Sequence, residues 1–235
     1  TNARNILPNS GYNRYNFTFR DVTKFLKDKL TVDLSASYIL QDNKNMIAAG
    51  KYFNPLPALY LFPRGDDFDN VRLYQRWDES RNLYTQAWDY GSGDMSFQNP
   101  YWIMNKMINQ TKKRRYMLSA NLKYDVTDWL DVTGRVKVDN SDMDITNKRY
   151  AGTDTNFAGE KGLYNITKRN DRQIYADAIA NIDHYFSDDW HLTANIGASI
   201  KDVQMDLMGW GGDLRKIPNF FSITNISTTS YRERE

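Results

Sequence analysis

Few residues in this chain could do covalent or metal chemistry, and none stands in the pattern that such chemistry requires. There are two histidines, His184 and His191, and no cysteine, which removes disulfide frameworks and thiolate zinc sites. One histidine falls at the end of an alternating segment and the other just after a turn. That spacing suits a strand surface rather than a positioned general base. "AAGK" at 48–51 resembles the end of a phosphate-binding loop, but Asn45 stands where the first glycine is needed and Tyr52 replaces Ser or Thr. "DNSDMD" at 139–144 has the acidic spacing of a calcium loop. Asp144, however, replaces the glycine of the sixth position, and Tyr150 the bidentate glutamate. The expectation is no catalytic residue, no metal, no cofactor and no enzyme activity.

The chemistry of recognition is better represented. Tyr74, Trp77, Tyr84, Trp88 and Tyr90 lie among Arg72, Arg76, Asp78, Glu79, Arg81 and Asp89. Rings that stack on sugar faces beside charged groups that bond hydroxyls would suit a glycan, and a peptide equally well. The plainer reading is that these rings pack their segment against neighbouring loops. Asn99, Pro100, Tyr101 and Trp102 come next. Proline fixes its own φ and holds the residue before it extended, so this phrase reads as a stiff turn that ends a long loop and anchors it with two rings. Lys112, Lys113, Arg114 and Arg115 form a basic run at the opening of an alternating segment. They read as a solvated strand end, or as a rim where guanidinium groups pair with phosphates of a lipid headgroup. Net charge is only +2 over 235 residues, and no adjacent basic element extends the run, so no nucleic-acid partner is expected.

The elements that must position these groups are strands. In "RYMLSANLKYD" at 115–125, Tyr116, Leu118, Ala120, Leu122 and Tyr124 fall on one face and polar residues on the other. After the short break "VTDW", Leu130, Val132, Gly134, Val136 and Val138 alternate with polar residues, which makes a hairpin. A second hairpin carries Ile174, Ala176, Ala178, Ala180 and Ile182, then "SDDW", then Leu192, Ala194, Ile196, Ala198 and Ile200. A first one carries Tyr15, Phe17 and Phe19, a looser connection over 21–29, then Leu30, Val32, Leu34, Ala36 and Tyr38. The second strands open alike, with "DKLTVDL", "DWLDVTG" and "DWHLTAN". About six antiparallel strands are predicted, near 12–20, 30–42, 113–125, 130–142, 172–186 and 190–204.

Short and long connections alternate. The turns at 126–129 and 187–189 are short; the spans 45–110, 145–170 and the tail beyond 205 are long. Outer-membrane barrels put short turns on the periplasmic side and long loops outside. Tyr116 and Tyr124 are eight residues apart, about 26 Å at roughly 3.3 Å per residue. Tilted about 40°, that segment spans roughly 20 Å, near the ~25 Å apolar band of such barrels. Trp129 and Trp190 sit at the short-turn ends, where interfacial rings are expected. Mean hydropathy of −0.72 does not exclude a barrel, whose strands alternate. A soluble sheet with one buried face predicts the same alternation, and so leaves a soluble all-β carbohydrate-binding module as the alternative.

"NPYW" at 99–102, followed by "TKKRRYMLSANLKYDVTDWLDVTGRVKVD" at 111–139, resembles the SusC/RagA family of TonB-dependent outer-membrane transporters. Trp129-Leu130 and Gly134-Arg135 fall where that family places its turn-ending Trp-Leu and its Gly-Arg. "YNRYNFTFR" and "DKLTVDLSASY" resemble the preceding hairpin, so the likeness covers roughly residues 10–205. It implies a partial transmembrane β-barrel across 1–235 in the bacterial outer membrane, with the plug domain, the TonB-contact segment and the remaining strands lying elsewhere. It also implies import of oligosaccharides or peptides with a SusD-like surface lipoprotein, TonB acting through a missing N-terminal region, and lipopolysaccharide around the wall.

Overall fold

The alternation at 115–125 becomes the middle of a strand far longer than its apolar stretch. In the computed structural model, which describes residues 1–4, 6–48, 50–90, 97–227 and 229–234, that strand runs over Met107–Thr127. Ala49 of the phosphate-loop-like phrase lies outside the described residues. In chain order the elements are β1 (Asn2–Arg4), β2 (Gly11–Phe25), β3 (Leu30–Lys44), α1 (Pro55–Tyr60), α2 (Asp69–Arg72), β4 (Gln75–Asp78) and β5 (Leu83–Gln86). There follow α3 (Pro100–Lys106), β6 (Met107–Thr127), β7 (Leu130–Tyr150), β8 (Gly162–Ser187), β9 (Trp190–Asp213) and β10 (Thr229–Arg234).

Eight of these strands form one antiparallel sheet in the order β1-β2-β3-β6-β7-β8-β9-β10, and β4 and β5 form a separate hairpin. Apart from the inserted β4–β5 hairpin, sequence neighbours are therefore sheet neighbours. The turns 26–29, 128–129 and 188–189 sit at one end. The connections 5–10, 45–106, 151–161 and 214–228 sit at the other, so the alternation of short and long holds strictly. The sheet is open, as part of a barrel wall is.

Three expectations need correction. The sheet has eight strands, not about six, because β1 and β10 pair along both flanks. The looser connection 21–29 is a tight turn: β2 continues to Phe25, and Leu26, Lys27 and Asp28 take left-handed conformations with φ of 54°, 56° and 69°. The span 145–170 contains only an 11-residue link at 151–161, because β7 and β8 pair without interruption from Leu130↔Ile182 to Tyr150↔Gly162. Beyond Val138 the face that carried the valines turns polar through Asn140, Asp142, Asp144, Thr146 and Lys148, so the ladder continues where the hydrophobic period has ended. "DNSDMD" thus lies within β7.

The two faces of the sheet differ. One carries Phe17, Phe19, Leu34, Leu118, Leu122, Val136, Ile196 and Ile200, all exposed, with Phe19 64% and Ile200 69% accessible. The other carries Arg20, Asp33, Arg115, Asp139, Arg135 and Asp177. No second layer covers the apolar face among the described residues. Its upper margin also slopes. The uninterrupted apolar run ends at Leu40 on β3, Tyr116 on β6, Val138 on β7, Ile174 on β8 and Ile200 on β9. Read across the register, that margin falls roughly one outward-facing row per strand from β3 to β7, and by β9 lies another row lower. An apolar band oblique to the hydrogen-bonded rows is what a wall of tilted, staggered strands produces.

The buried apolar cluster lies at the long-connection end. Trp102, Ile103, Met104 and Met107 are buried together, with Leu7, Phe53, Tyr74, Tyr150 and Phe157 packed around them. The sheet below it has no comparable core.

Candidate functional site

The long connections fold against one another into a single cap over the end of the sheet. "NPYW" organises it, though not as an extended landing. Asn99 is the N-cap of α3 and Pro100 its first helical residue, a position where the missing N–H costs nothing and the fixed φ suits the helix. The Asn99 side chain accepts from the backbone N–H of Tyr101 at 2.8 Å and of Trp102 at 3.4 Å. Its amide donates to the carbonyls of Val71 at 2.9 Å and Ala87 at 3.1 Å, and its own N–H donates to Gln86 Oε1 at 2.6 Å. One fully buried asparagine thus ties α2, the end of the β4–β5 hairpin and α3 together. The residue before proline is extended as expected, with ψ of 124°, and a helix begins directly after it.

Trp102 is wholly buried, its ring edge-on to Tyr74 at 6.5 Å, and its Nε1 donates to Thr153 Oγ1 at 3.0 Å. That bond joins the 45–106 connection to the 151–161 link. Tyr101 is only half-buried, so the two rings of the motif are unequal. Gly152 completes the joint. At φ +91° it is left-handed, and a Cβ there would lie 2.5 Å from Thr85 Cα, which leaves glycine as the residue that lets the hairpin approach. The third connection joins through Asn219, whose Oδ1 accepts from Ala151 N–H at 2.7 Å, and through Lys161, which donates to the Arg215 carbonyl at 2.7 Å. Asn45, 5% exposed, donates to the carbonyls of Asn9 and Met104 at 3.0 and 2.8 Å and so fixes the start of the cap. Burial in this cap pushes the Lys106 ammonium down, and its Nζ stands 4.9 Å from the Tyr150 ring centre.

The five aromatic candidates separate into three groups. Tyr74 belongs to the Trp102 cluster. Trp88 packs edge-on to Tyr90 at 5.0 Å, and Tyr90 to Phe62 at 5.0 Å; Phe62 and Phe68, missed in the sequence, complete this stack. The Tyr90 hydroxyl bonds the Asp66 carboxylate, which raises its pKa. Trp77 and Tyr84, by contrast, face each other across the β4–β5 hairpin at 5.1 Å and are about half accessible, at 49% and 51%. Asp78 closes the hairpin turn by accepting from Ser80 Oγ at 2.6 Å, and that hydroxyl holds its pKa below the usual aspartate value. Of the five, Trp77 and Tyr84 present the rings an incoming molecule could reach.

The basic run does not act as one patch. Strand period two sends Lys112 and Arg114 to the face that carries Tyr116 and Leu118, and Lys113 and Arg115 to the opposite face. It also lies well inside β6, which begins five residues earlier at Met107. Arg115 pairs with Asp139 on the polar face, beside the pairs Arg135–Asp177 at 2.8 Å and Arg20–Asp33 at 2.8 Å. Of the two histidines, His191 meets Asp183 at 2.5 Å and stacks on Tyr185 at 3.9 Å, and His184 lies between Trp129 and Phe186 at the short-turn end. Among the described residues no three His, Asp or Glu side chains converge as a metal ion would require. No helix among them is long and apolar enough to cross a membrane.

No family model matches the sequence, and no curated protein matches it. Solved structures do match. A chain of the RagAB peptide importer in its "open-open" state aligns over 96% of this chain with a TM-score of 0.63 and 13% identity. The sheet and its cap have the fold of part of a RagAB chain. A second RagAB peptide transporter structure gives a TM-score of 0.63 at 12% identity, and the "closed-closed" state of the RagAB importer gives 0.62 at 14%, each again over 96% of this chain. This chain spans about a quarter of the length of the RagAB chains it matches, 24% or 25%. The structural neighbours are thus those to which "NPYW" and its paired strands pointed.

Proposed function

We propose that this chain is a wall segment, with its external cap, of a TonB-dependent outer-membrane transporter that imports peptides or oligosaccharides. The observation that carries the reading is the uncovered apolar face. Exposing side chains such as Phe19, Ile196 and Ile200 to water would forfeit about 1.5–3 kcal/mol each relative to burial. Facing lipid removes that cost, while the Arg–Asp pairs of the opposite face line a wet interior. A soluble carbohydrate-binding module would need a second layer over the same face.

In this reading the cap stands at the external mouth, and Trp77 and Tyr84 present stacking surface to a captured peptide or glycan. A SusD-like lipoprotein would close over the cap, and TonB would act through a plug supplied by other parts of the protein. The test uses the complete protein. Leu122→Arg, on the apolar face, is expected to cost about 2–4 kcal/mol near a bilayer midplane and to lower the amount inserted in the outer membrane. Asn121→Arg, on the polar face, is expected to insert normally. Equal insertion of the two variants would refute the membrane assignment. Uptake that persists without TonB would refute the energised transporter while leaving the wall in place.

A further inference from the structure

The β4–β5 hairpin has two edges, and one of them is open. Two bonds at its base fix which main-chain groups point outward. Ala87 N–H donates to the Tyr74 carbonyl at 3.0 Å, inside the hairpin, and Gln86 N–H donates outward to the Gly152 carbonyl at 3.3 Å. Tyr74 and Ala87 are thus a hydrogen-bonded pair, and Gln75↔Gln86 a non-bonded one. Antiparallel alternation then makes Arg76↔Thr85 bonded and Trp77↔Tyr84 non-bonded. On β5 the outward side meets the 151–161 link, where Gly152 makes room for Thr85. On β4 the N–H and C=O groups of Gln75 and Trp77 point away from β5. Among the described residues β4 pairs with β5 alone, and none of these four groups has a hydrogen-bond partner.

The open edge has side chains of two kinds. Gln75 and Trp77 lie on one face of the hairpin and Arg76 on the other, drawn toward Asp89 at 3.7 Å. No proline or bulge closes the edge. A donor and an acceptor therefore recur at every second residue, about 6.6 Å apart at roughly 3.3 Å per residue. An extended polypeptide carries the same pair at the same repeat, whereas the hydroxyls of a glycan do not. The rings agree with this. Trp77 and Tyr84 are inclined at 72° with centres 5.1 Å apart, which makes a notch for a side chain and not one broad platform for a sugar.

We propose that β4 captures peptides by strand addition. An extended segment lies along the open edge as a third strand. Its residue opposite Trp77 exchanges main-chain bonds with it and lays its side chain beside the Trp77 ring, while the residues on either side turn toward Arg76 and Asp89. The site rests on the reading of Trp77 and Tyr84 as the exposed rings of the cap, and it selects peptide over glycan as the molecule held there. Recognition is mainly of the backbone, with a preference for a large apolar side chain at every second position.

The experiment is fluorescence anisotropy on the complete protein in detergent, with a labelled peptide of alternating phenylalanine and serine. Two twins of the peptide carry N-methyl groups, one on every phenylalanine and the other on every serine; maltoheptaose is the glycan probe. In the added strand the phenylalanines share the face of Trp77, so their amides meet β4. Methylating them should weaken binding about a hundredfold, two bonds at about tenfold each. Methylating the serines, whose amides face away, should leave binding near that of the parent. Gln75→Pro removes one outward donor, spares the β4–β5 bonds, and should weaken the parent peptide about tenfold. Gln75→Ala, which keeps the N–H, should recover most of that loss. Exchange protection of the Arg76 amide reports whether the hairpin is intact in each variant; where it is lost, the methylated twins decide alone, since they need no variant. Equal weakening by both twins, or no binding of the parent peptide, would overturn the proposal. Maltoheptaose bound in place of the peptide would overturn it and leave the ring site standing. A dimer that Gln75→Pro dissolves would put a second copy on the edge and overturn it as well. The membrane wall is tested separately, by the insertion of Leu122→Arg.

Discussion

Trp102→Ala is the most informative single change in the cap. The side chain is fully buried, and a tryptophan of that kind removes about 150–250 Å² from water. Roughly 150 Å² of that is lost on truncation, which at about 25 cal/mol per Å² gives nearly 4 kcal/mol. Thr153, deprived of the Nε1 donor at 3.0 Å, can rotate its hydroxyl toward another acceptor and adds at most about 1 kcal/mol. The expected cost is therefore about 4–5 kcal/mol, within the usual range of about 3–5 for a buried tryptophan. The cost falls on the cap, since the ring packs with Tyr74 and Thr153 in a cluster that reaches the sheet only at Met107 and Tyr150, the cap-end residues of β6 and β7. Hydrogen exchange on the complete protein reads this directly. Amides of α3 and of the 151–161 link should lose about a thousandfold in protection, each 1.4 kcal/mol being a factor of about ten. Amides at 116–124 should keep theirs. Trp102→Phe, which deletes the donor but keeps most of the area, should cost about 1–2 kcal/mol. Protection that falls equally in the cap and at 116–124 would refute the separation of cap from wall. Unchanged protection in α3 would refute the assignment of Trp102 as its anchor.

Asn99→Ala removes a cap and leaves the carbonyls of Val71 and Ala87 without their donor; a loss of about 1–3 kcal/mol should appear as faster proteolysis within 61–98. Asp177→Ala strips the partner from Arg135 on the polar face, where the carboxylate side chain is only 3% accessible; about 1–3 kcal/mol should be read as a lower unfolding temperature in detergent. The β4–β5 turn should be acid-sensitive. Asp78 has its pKa lowered by the Ser80 hydroxyl, so its contribution is complete above the ordinary aspartate pKa of about 4 and is lost as pH falls through the lower folded value. Trp77 fluorescence should follow that loss, and Ser80→Ala should shift it to higher pH.

What could be read from the sequence depended on whether one face of a strand was apolar. From Tyr116 to Tyr124, and from Leu130 to Val138, the period is plain and the register comes with it. Above Val138 the residues Asn140, Ser141, Asp142 and Asp144 face Arg172, Asp171, Asn170 and Lys168 across the ladder, and the few apolar residues there, Met143 and Ile145, lie on the face opposite the valines, so the period read below does not continue. β1 and β10 are short and polar and leave even less. The helix at "NPYW" has a local signal that competes with the turn reading. Asn before Pro is a turn signal, but Asn at the N-cap with Pro at the first position also opens a helix, and Lys106 in the last turn agrees with that. The basic run carried its own correction, since period two divides any four consecutive strand residues between two faces. The ties through Asn45, Asn219 and Gly152 join residues tens of positions apart and have no local signature.

The uninterrupted neighbour order of the sheet bears on how such a wall can change over evolutionary time. Each strand of the large sheet is bonded only to the strands of that sheet before and after it in sequence, so gaining or losing one hairpin with its turn alters a single seam and leaves other pairings intact. Such a step adds or removes two strands at once. A step of one strand would reverse the direction of everything downstream and move the long connections from the cap end to the turn end. The meander therefore lets the circumference vary in units of a hairpin, and keeps the long connections on the same side of the wall through every such change.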